Sequence, residues 1–181
     1  MDTSFNVVSK EVTPNDPILD SIEKTYNASF PVFERRDFSL LRELMQKESN
    51  FSMYALLKDD QYVGFITVWY LDHFYYIEHF AIDESARNGG IGAIAMKSLL
   101  AILDGPVVLE VELPEDELSR RRIGFYERLG FVLDNRHPYK QPPYCEGHPW
   151  LDLHLMTYGD INLQESFEDV KTKIYTYVYG Q

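Results

Sequence analysis

Phe80-Ala81-Ile82-Asp83-Glu84-Ser85-Ala86-Arg87-Asn88-Gly89-Gly90-Ile91-Gly92 is the run around which the rest of this sequence organises itself. A strand signature leads into a glycine-rich loop that opens a helix, so backbone N–H groups near Asn88 to Gly92 can converge on a phosphate. Glycine suits the loop because a Cβ would block so close an approach. Spacing alone leaves an ordinary strand-to-helix turn equally open. Gly90-Ile91-Gly92-Ala93-Ile94-Ala95 also fits the dinucleotide pattern G-x-G-x-x-G/A, with Glu110 downstream as its acidic residue. Against that reading, a dinucleotide turn follows its strand almost at once, whereas Asp83 to Gly89 intervene here, and the flanking hairpins supply no repeated βαβ units. No Gly-Lys-Ser/Thr is present, which speaks against a P-loop.

Two later runs carry chemistry. Arg122-Ile123-Gly124-Phe125-Tyr126-Glu127-Arg128-Leu129-Gly130-Phe131 is a helix end closed by Gly130. Before it, Val107-Val108-Leu109-Glu110-Val111-Glu112 sets two carboxylates at i and i+2 on one face of a strand otherwise built for burial. An unpaired buried carboxylate is costly, so each is expected to line a cleft or meet a partner.

Together these runs resemble the GNAT acetyltransferases. Arg87, Gly90 and Gly92 match that family's CoA-binding signature, an Arg or Gln followed by x-x-Gly-x-Gly/Ala, and Phe125 to Phe131 matches the helix end that lies beside the CoA sulfur. The resemblance covers about Gln61 to Met156. It implies acetyl-CoA as cosubstrate, with the backbone of Arg87, Asn88, Gly89, Gly90, Ile91 and Gly92 on the pyrophosphate. Phe80, Ala81 and Ile82 become the strand contacts to the pantetheine arm and thioester. Tyr126 becomes the acid that protonates the departing thiolate, a task for which a phenol of ordinary pKa about 10 remains protonated at neutral pH. Its plain alternative is packing on an amphipathic helix.

A base is needed as well, because an amine near pH 7 is largely ammonium and cannot attack a thioester until a proton leaves. Glu110 corresponds to the base of the ribosomal-protein alanine acetyltransferases; Glu78, on the earlier strand, is the second candidate. A salt bridge from Glu110 to an arginine such as Arg121 is the third reading. The sequence departs from that subgroup where an asparagine that touches CoA, seven residues before the tyrosine, is replaced by Ser119. The connection from Glu110 to Tyr126 is also longer.

The implied fold class is α/β: a GNAT-like mixed, mostly antiparallel twisted sheet flanked by helices. The strands Tyr75 to Ile82 and Pro106 to Leu113 are expected as parallel neighbours that splay apart to admit the pantetheine arm. Direct transfer of an acetyl group to a primary amine is the expected reaction. A non-catalytic acyl-CoA-binding or regulatory module is the alternative, since it would need neither Tyr126 nor a base. The acceptor, a small molecule or a peptide, stays open.

Composition agrees with a globular enzyme. The 181 residues are 45% apolar and 14% aromatic, enough for one domain over 1–181. A net charge of −12 argues against a nucleic-acid surface and favours a cationic substrate. Cys145 is the only cysteine, which excludes an internal disulfide and a thiolate zinc cluster, and the five histidines show no metal spacing, so no metal is expected. The Met1-Asp2-Thr3-Ser4 start lacks a basic or apolar leader, and no run approaches the roughly 20 apolar residues of a membrane span. A cytoplasmic protein is the expectation.

Helices are expected from Asp16-Pro17 to Asn27, over Asp37 to Lys47 with Leu40, Leu41, Leu44 and Met45 on one face, over Gly92 to Leu103, and over Glu115 to Leu129. Phe51–Leu57 and Gln61–Leu71 read as a hairpin across Lys58-Asp59-Asp60. Phe131–Leu133 and Trp150–Met156 read as the last strands, with a Pro/Tyr-rich loop from Tyr139 to Pro149 between them. Phe30-Pro31, Glu34-Arg35-Arg36 and Tyr139 to Tyr144 are the substrate-facing candidates. The tail from Asn162 to Tyr179 reads as a helix or a helix plus strand, and its tyrosines leave open either a homodimer interface or a cover for the core.

Overall fold

The computed structural model describes residues 5–181, so the Met1–Ser4 start lies outside the described residues. Among the described residues seven strands form: β1 (Val7–Glu11), β2 (Phe51–Lys58), β3 (Gln61–Leu71), β4 (Phe74–Ile82), β5 (Val107–Glu112), β6 (Val132–Gln141) and β7 (Leu151–Tyr158). Their order in the sheet is β1-β2-β3-β4-β5-β7-β6. The helices are α1 (Leu19–Ser29), α2 (Phe38–Lys47), α3 (Ile91–Ile102), α4 (Glu117–Arg128) and α5 (Leu163–Lys173), the last running into a π-helix over Ile174–Tyr179. This is the mixed, mostly antiparallel architecture expected. Its parallel pair is β4 with β5, in register at Tyr75↔Val107, Tyr76↔Val108 and Ile77↔Leu109; the ladder stops there although both strands run on.

The chain gathers into two compact units, the first running to Val68 and adding His79–Asp104. Its hairpin turn at Asp59 (φ 49°) and Asp60 (φ 61°) has both residues left-handed, the geometry whose twist suits the flanking strands. Its core is aromatic: the buried Tyr26 ring lies 5.6 Å from Phe38, 6.0 Å from Phe65 and 5.0 Å from His79. Asp37 caps α2 by accepting from the Ser39 amide at 2.9 Å. The buried stripe of that helix is Phe38 and Leu41, while Leu40, expected inside, is 47% exposed. α1 begins two residues later than expected, because Asp16 accepts from the Ile18 amide and holds a turn ahead of the helix. Gly64 in β3 is required by packing, since a Cβ there would stand 2.4 Å from the Ala81 carbonyl oxygen.

The second unit comprises Trp69–Glu78 and Gly105–Gln181. β5 supplies Val107, Val108, Leu109 and Val111 to its core. Asp116 and Ser119 close a reciprocal capping box on α4. Two expectations are corrected here. β6 continues to Gln141 instead of ending at Leu133, because its register against β7 shifts between Asp134 and Tyr139; the irregularity absorbs Pro138, and pairing resumes at Tyr139↔Leu153. The tail forms no strand, and its π-helix buries Ile174 and Val178. β1 was not foreseen at all, being a short strand at the sheet's end with only Val7 and Ser9 buried.

Candidate active site

In the first unit, β4 delivers the chain to the glycine loop. Asp83 stands at its exit, accepting from the Ser85 amide and hydroxyl through one oxygen and from Thr25 at 2.7 Å through the other. Those bonds from Ser85, then Thr25, hold its carboxyl below the ordinary carboxylate range. Tyr62 donates to the same Thr25 hydroxyl at 2.9 Å, so α1, β3 and the loop entrance are tied at one point. Arg87 turns back to donate to the Ile82 carbonyl at 3.0 Å and to the Ser29 hydroxyl at 3.3 Å.

Asn88 (φ 68°) and Gly90 (φ 71°) then take left-handed conformations that aim the chain into α3. Gly90 is the N-cap and brings no side-chain cap, and the first turn of α3 carries no acidic residue. A Cβ on Gly90 would meet nothing within 4 Å, and one on Gly89 only the Ile91 side chain at 3.9 Å. The loop is therefore an uncapped N-terminus of a twelve-residue helix with clear space before it, a fit for a pyrophosphate. The dinucleotide alternative fares worse. A 3₁₀ turn over Glu84–Ala86 separates strand from glycines, and Glu110, its would-be ribose ligand, is engaged elsewhere.

β4 itself has two faces. Ile77, His79 and Ala81 are buried, whereas Glu78, Phe80 and Ile82 alternate along the half-buried face. His79 anchors the buried face: its Nε2 lies 2.9 Å from the Glu34 carbonyl, and its ring is 4.5 Å from Phe30. Tyr26 adds a hydrogen bond from the Arg36 amide at 2.8 Å, so the Phe30 to Arg36 segment is held by the core.

In the second unit both carboxylates sit among tyrosines. Glu78 accepts from Trp69 Nε1 at 2.7 Å and from the Tyr144 hydroxyl at 3.1 Å. Glu110 accepts from the Tyr139 hydroxyl on one oxygen, and from Gln141 Nε2 (2.6 Å) and the Tyr179 hydroxyl (2.9 Å) on the other. The residue is half-buried, and removal of its carboxylate from water pushes the pKa up against the pull of these donors. Among the described residues Glu110 has no ion-pair partner; Arg121 pairs with Glu117 at 2.6 Å and Arg122 with Glu112 at 3.0 Å. The salt-bridge reading of Glu110 is thereby corrected: hydroxyls and an amide, not a guanidinium, satisfy it.

Tyr126 lies on the buried side of α4, its ring 5.1 Å from Phe125 and 5.4 Å from Phe131, with its carbonyl accepting from the Phe131 amide. Burial pushes its phenol up to about 12, Arg122 opposing. A phenol in that state keeps its proton at any physiological pH and surrenders it only to a stronger base. Ser119 is buried, and its hydroxyl is spent on the helix cap, accepting from the Asp116 amide and donating to the Asp116 carbonyl.

Tyr76, Trp69 and Tyr179 were not anticipated as site residues; the crowding of tyrosines in the Tyr175–Tyr179 run was the available signal for Tyr179. Among the described residues no group of His, Cys, Asp and Glu could hold a metal ion, and no helix is long and apolar enough to cross a membrane.

The model of the acetyltransferase (GNAT) family matches residues 19–131. A GNAT-family structure from Bacteroides thetaiotaomicron is 40% identical, with a TM-score of 0.92 over 96% of this chain and 98% of its own. Arabidopsis thaliana NAA60 in complex with acetyl-CoA is 17% identical, with a TM-score of 0.64 over 84% of this chain and 98% of its own. A chimera of the Vibrio cholerae spermidine N-acetyltransferase SpeG is 13% identical, with a TM-score of 0.62 over 91% and 99%. The last two share the fold. No curated protein matches the sequence.

Proposed function

The chain belongs to the acetyltransferase (GNAT) family, and from that premise we propose that it transfers an acetyl group from acetyl-CoA to a primary amine. The observation that carries the cosubstrate is the uncapped, acid-free N-terminus of α3 behind Gly89 and Gly90. Backbone amides there bind the pyrophosphate, and the half-buried face of β4 at Phe80 and Ile82 receives the arm that leads to the thioester. Acetyl-CoA supplies an activated acyl group, which an amine can attack without an acyl-enzyme.

The residues then divide the proton work. The acceptor arrives as ammonium, and Glu78 takes its proton, directly or through one water; the alternation of Glu78 with Phe80 and Ile82 along β4 supports this reading. Trp69 and Tyr144, each on one oxygen of Glu78, fix its orientation. Tyr126 returns a proton to the leaving sulfur, its high pKa keeping it charged with that proton beforehand. Glu110, held by Tyr139, Gln141 and Tyr179, supports the acceptor side.

Glu78→Gln tests the division of labour. It keeps the shape and can still accept from Trp69, with the Tyr144 hydroxyl turned to accept from the new amide, but it cannot take up the proton. Release of free CoA thiol with an accepting amine is expected to fall about 100-fold in kcat at pH 7, and the loss to shrink as rising pH supplies free amine. An unchanged rate would remove Glu78 from the mechanism.

A further inference from the structure

The C-terminal π-helix, Ile174–Tyr179, reaches the carboxylate cluster of the second unit with a single side chain. We propose that Tyr179 is a positioning residue of the reaction, its hydroxyl and ring holding Glu110 and Tyr144 in the arrangement that serves the acceptor amine. This rests on the acetyltransferase reading above.

The Tyr179 hydroxyl has one proton, and it goes to Glu110 Oε2. It therefore accepts in its other contacts, from Gln141 Nε2 at 2.9 Å and from Tyr76, whose hydroxyl lies 3.2 Å away. Its ring sits 5.2 Å from that of Tyr144, the tyrosine that donates to Glu78. One residue thus touches the supports of both carboxylates. The wide π turn lets the tail make these contacts. Ile174 and Val178 pack inward, the Gly180 amide closes the turn on the Tyr175 carbonyl, and Tyr175 donates to the Lys140 carbonyl beside Gln141. Tyr175 anchors the tail by backbone contact, while Tyr179 reaches the carboxylate itself.

Several elements surround Glu110, and the groups that act directly on its carboxylate are Tyr139, Tyr179, Gln141 and Tyr76. β4 brings Tyr76 and Glu78; β6 brings Tyr139 and Gln141; the loop after it brings Tyr144; the tail brings Tyr175 and Tyr179; β7 sets Leu155 directly across. Among the described residues no cation pairs with Glu110, so donated hydrogen bonds are what favour its ionised form. Removing one of them raises the proton affinity of Glu110.

Tyr179→Phe keeps the ring and deletes the hydroxyl. With glutamate ¹³C-labelled at the carboxyl carbon and the Glu110 signal assigned from Glu110→Gln, the titration midpoint of Glu110 is expected to rise by about one pH unit, the scale of one charge-assisted hydrogen bond. At pH 7, kcat/KM for an accepting amine is expected to fall about tenfold while acetyl-CoA affinity stays within about twofold. Tyr175→Phe, which loosens the same tail without touching Glu110, is expected to change neither reading. A Glu110 midpoint that stays in place in Tyr179→Phe, an equal shift in Tyr175→Phe, or an unchanged amine kcat/KM would each overturn the proposal. Failure of the acetyltransferase reading has a separate signature, absence of acetyl-CoA binding by the unmodified protein.

Discussion

Gly90→Glu is expected to weaken acetyl-CoA binding by at least about 100-fold, or roughly 2.7 kcal/mol, while the protein still folds. Two effects act together. Gly90 has φ 71°, so any side chain carries left-handed strain of about 1–2 kcal/mol. The new carboxylate would also enter the clear space in front of α3, where it satisfies the helix amides and repels a pyrophosphate. Gly90→Ala separates the two, since it adds the strain and a methyl group but no charge. Isothermal titration with acetyl-CoA, with circular dichroism as the check on folding, reads both variants. Retained affinity in Gly90→Glu would remove the pyrophosphate from this loop.

Tyr126→Phe is expected to lower kcat by about 100-fold and to leave acetyl-CoA affinity nearly unchanged, the pattern of an interaction made only as the reaction proceeds. The phenol is buried against Phe125 and Phe131, so the ring stays in place when the hydroxyl is lost. Its pKa of about 12 makes it a poor acid toward water but a competent one toward a thiolate forming in a site with little solvent. Steady-state thiol release at saturating amine checks this. Unchanged kcat would leave Tyr126 as a packing residue.

How much of this was legible beforehand depended on whether the signal was local. The Arg87–Gly92 loop, the helix closing at Gly130 and the Asp59-Asp60 hairpin each declare themselves through a few adjacent residues whose backbone preferences are strong. The parallel pairing of β4 with β5 followed from the helix between them. β6 was cut short because Asp134, Asn135 and Pro138 look like strand breakers, and only the partner strand reveals that a register shift accommodates them. The surroundings of Glu110 were the least legible, since its donors lie 29, 31 and 69 residues away in sequence. Two carboxylates at i and i+2 on a buried strand announced that partners must exist; a hydroxyl donor from a π-helical tail has no local pattern by which to be named. Ser119 shows the converse, a position flagged by correspondence whose hydroxyl a local capping box already uses.

Titration calorimetry of the unmodified protein with acetyl-CoA and, in a separate cell, with NAD bears most directly on the central claim. The account predicts saturable binding of acetyl-CoA with one site per chain and no binding of NAD; binding of NAD without acetyl-CoA would contradict it and return the glycine loop to the dinucleotide reading.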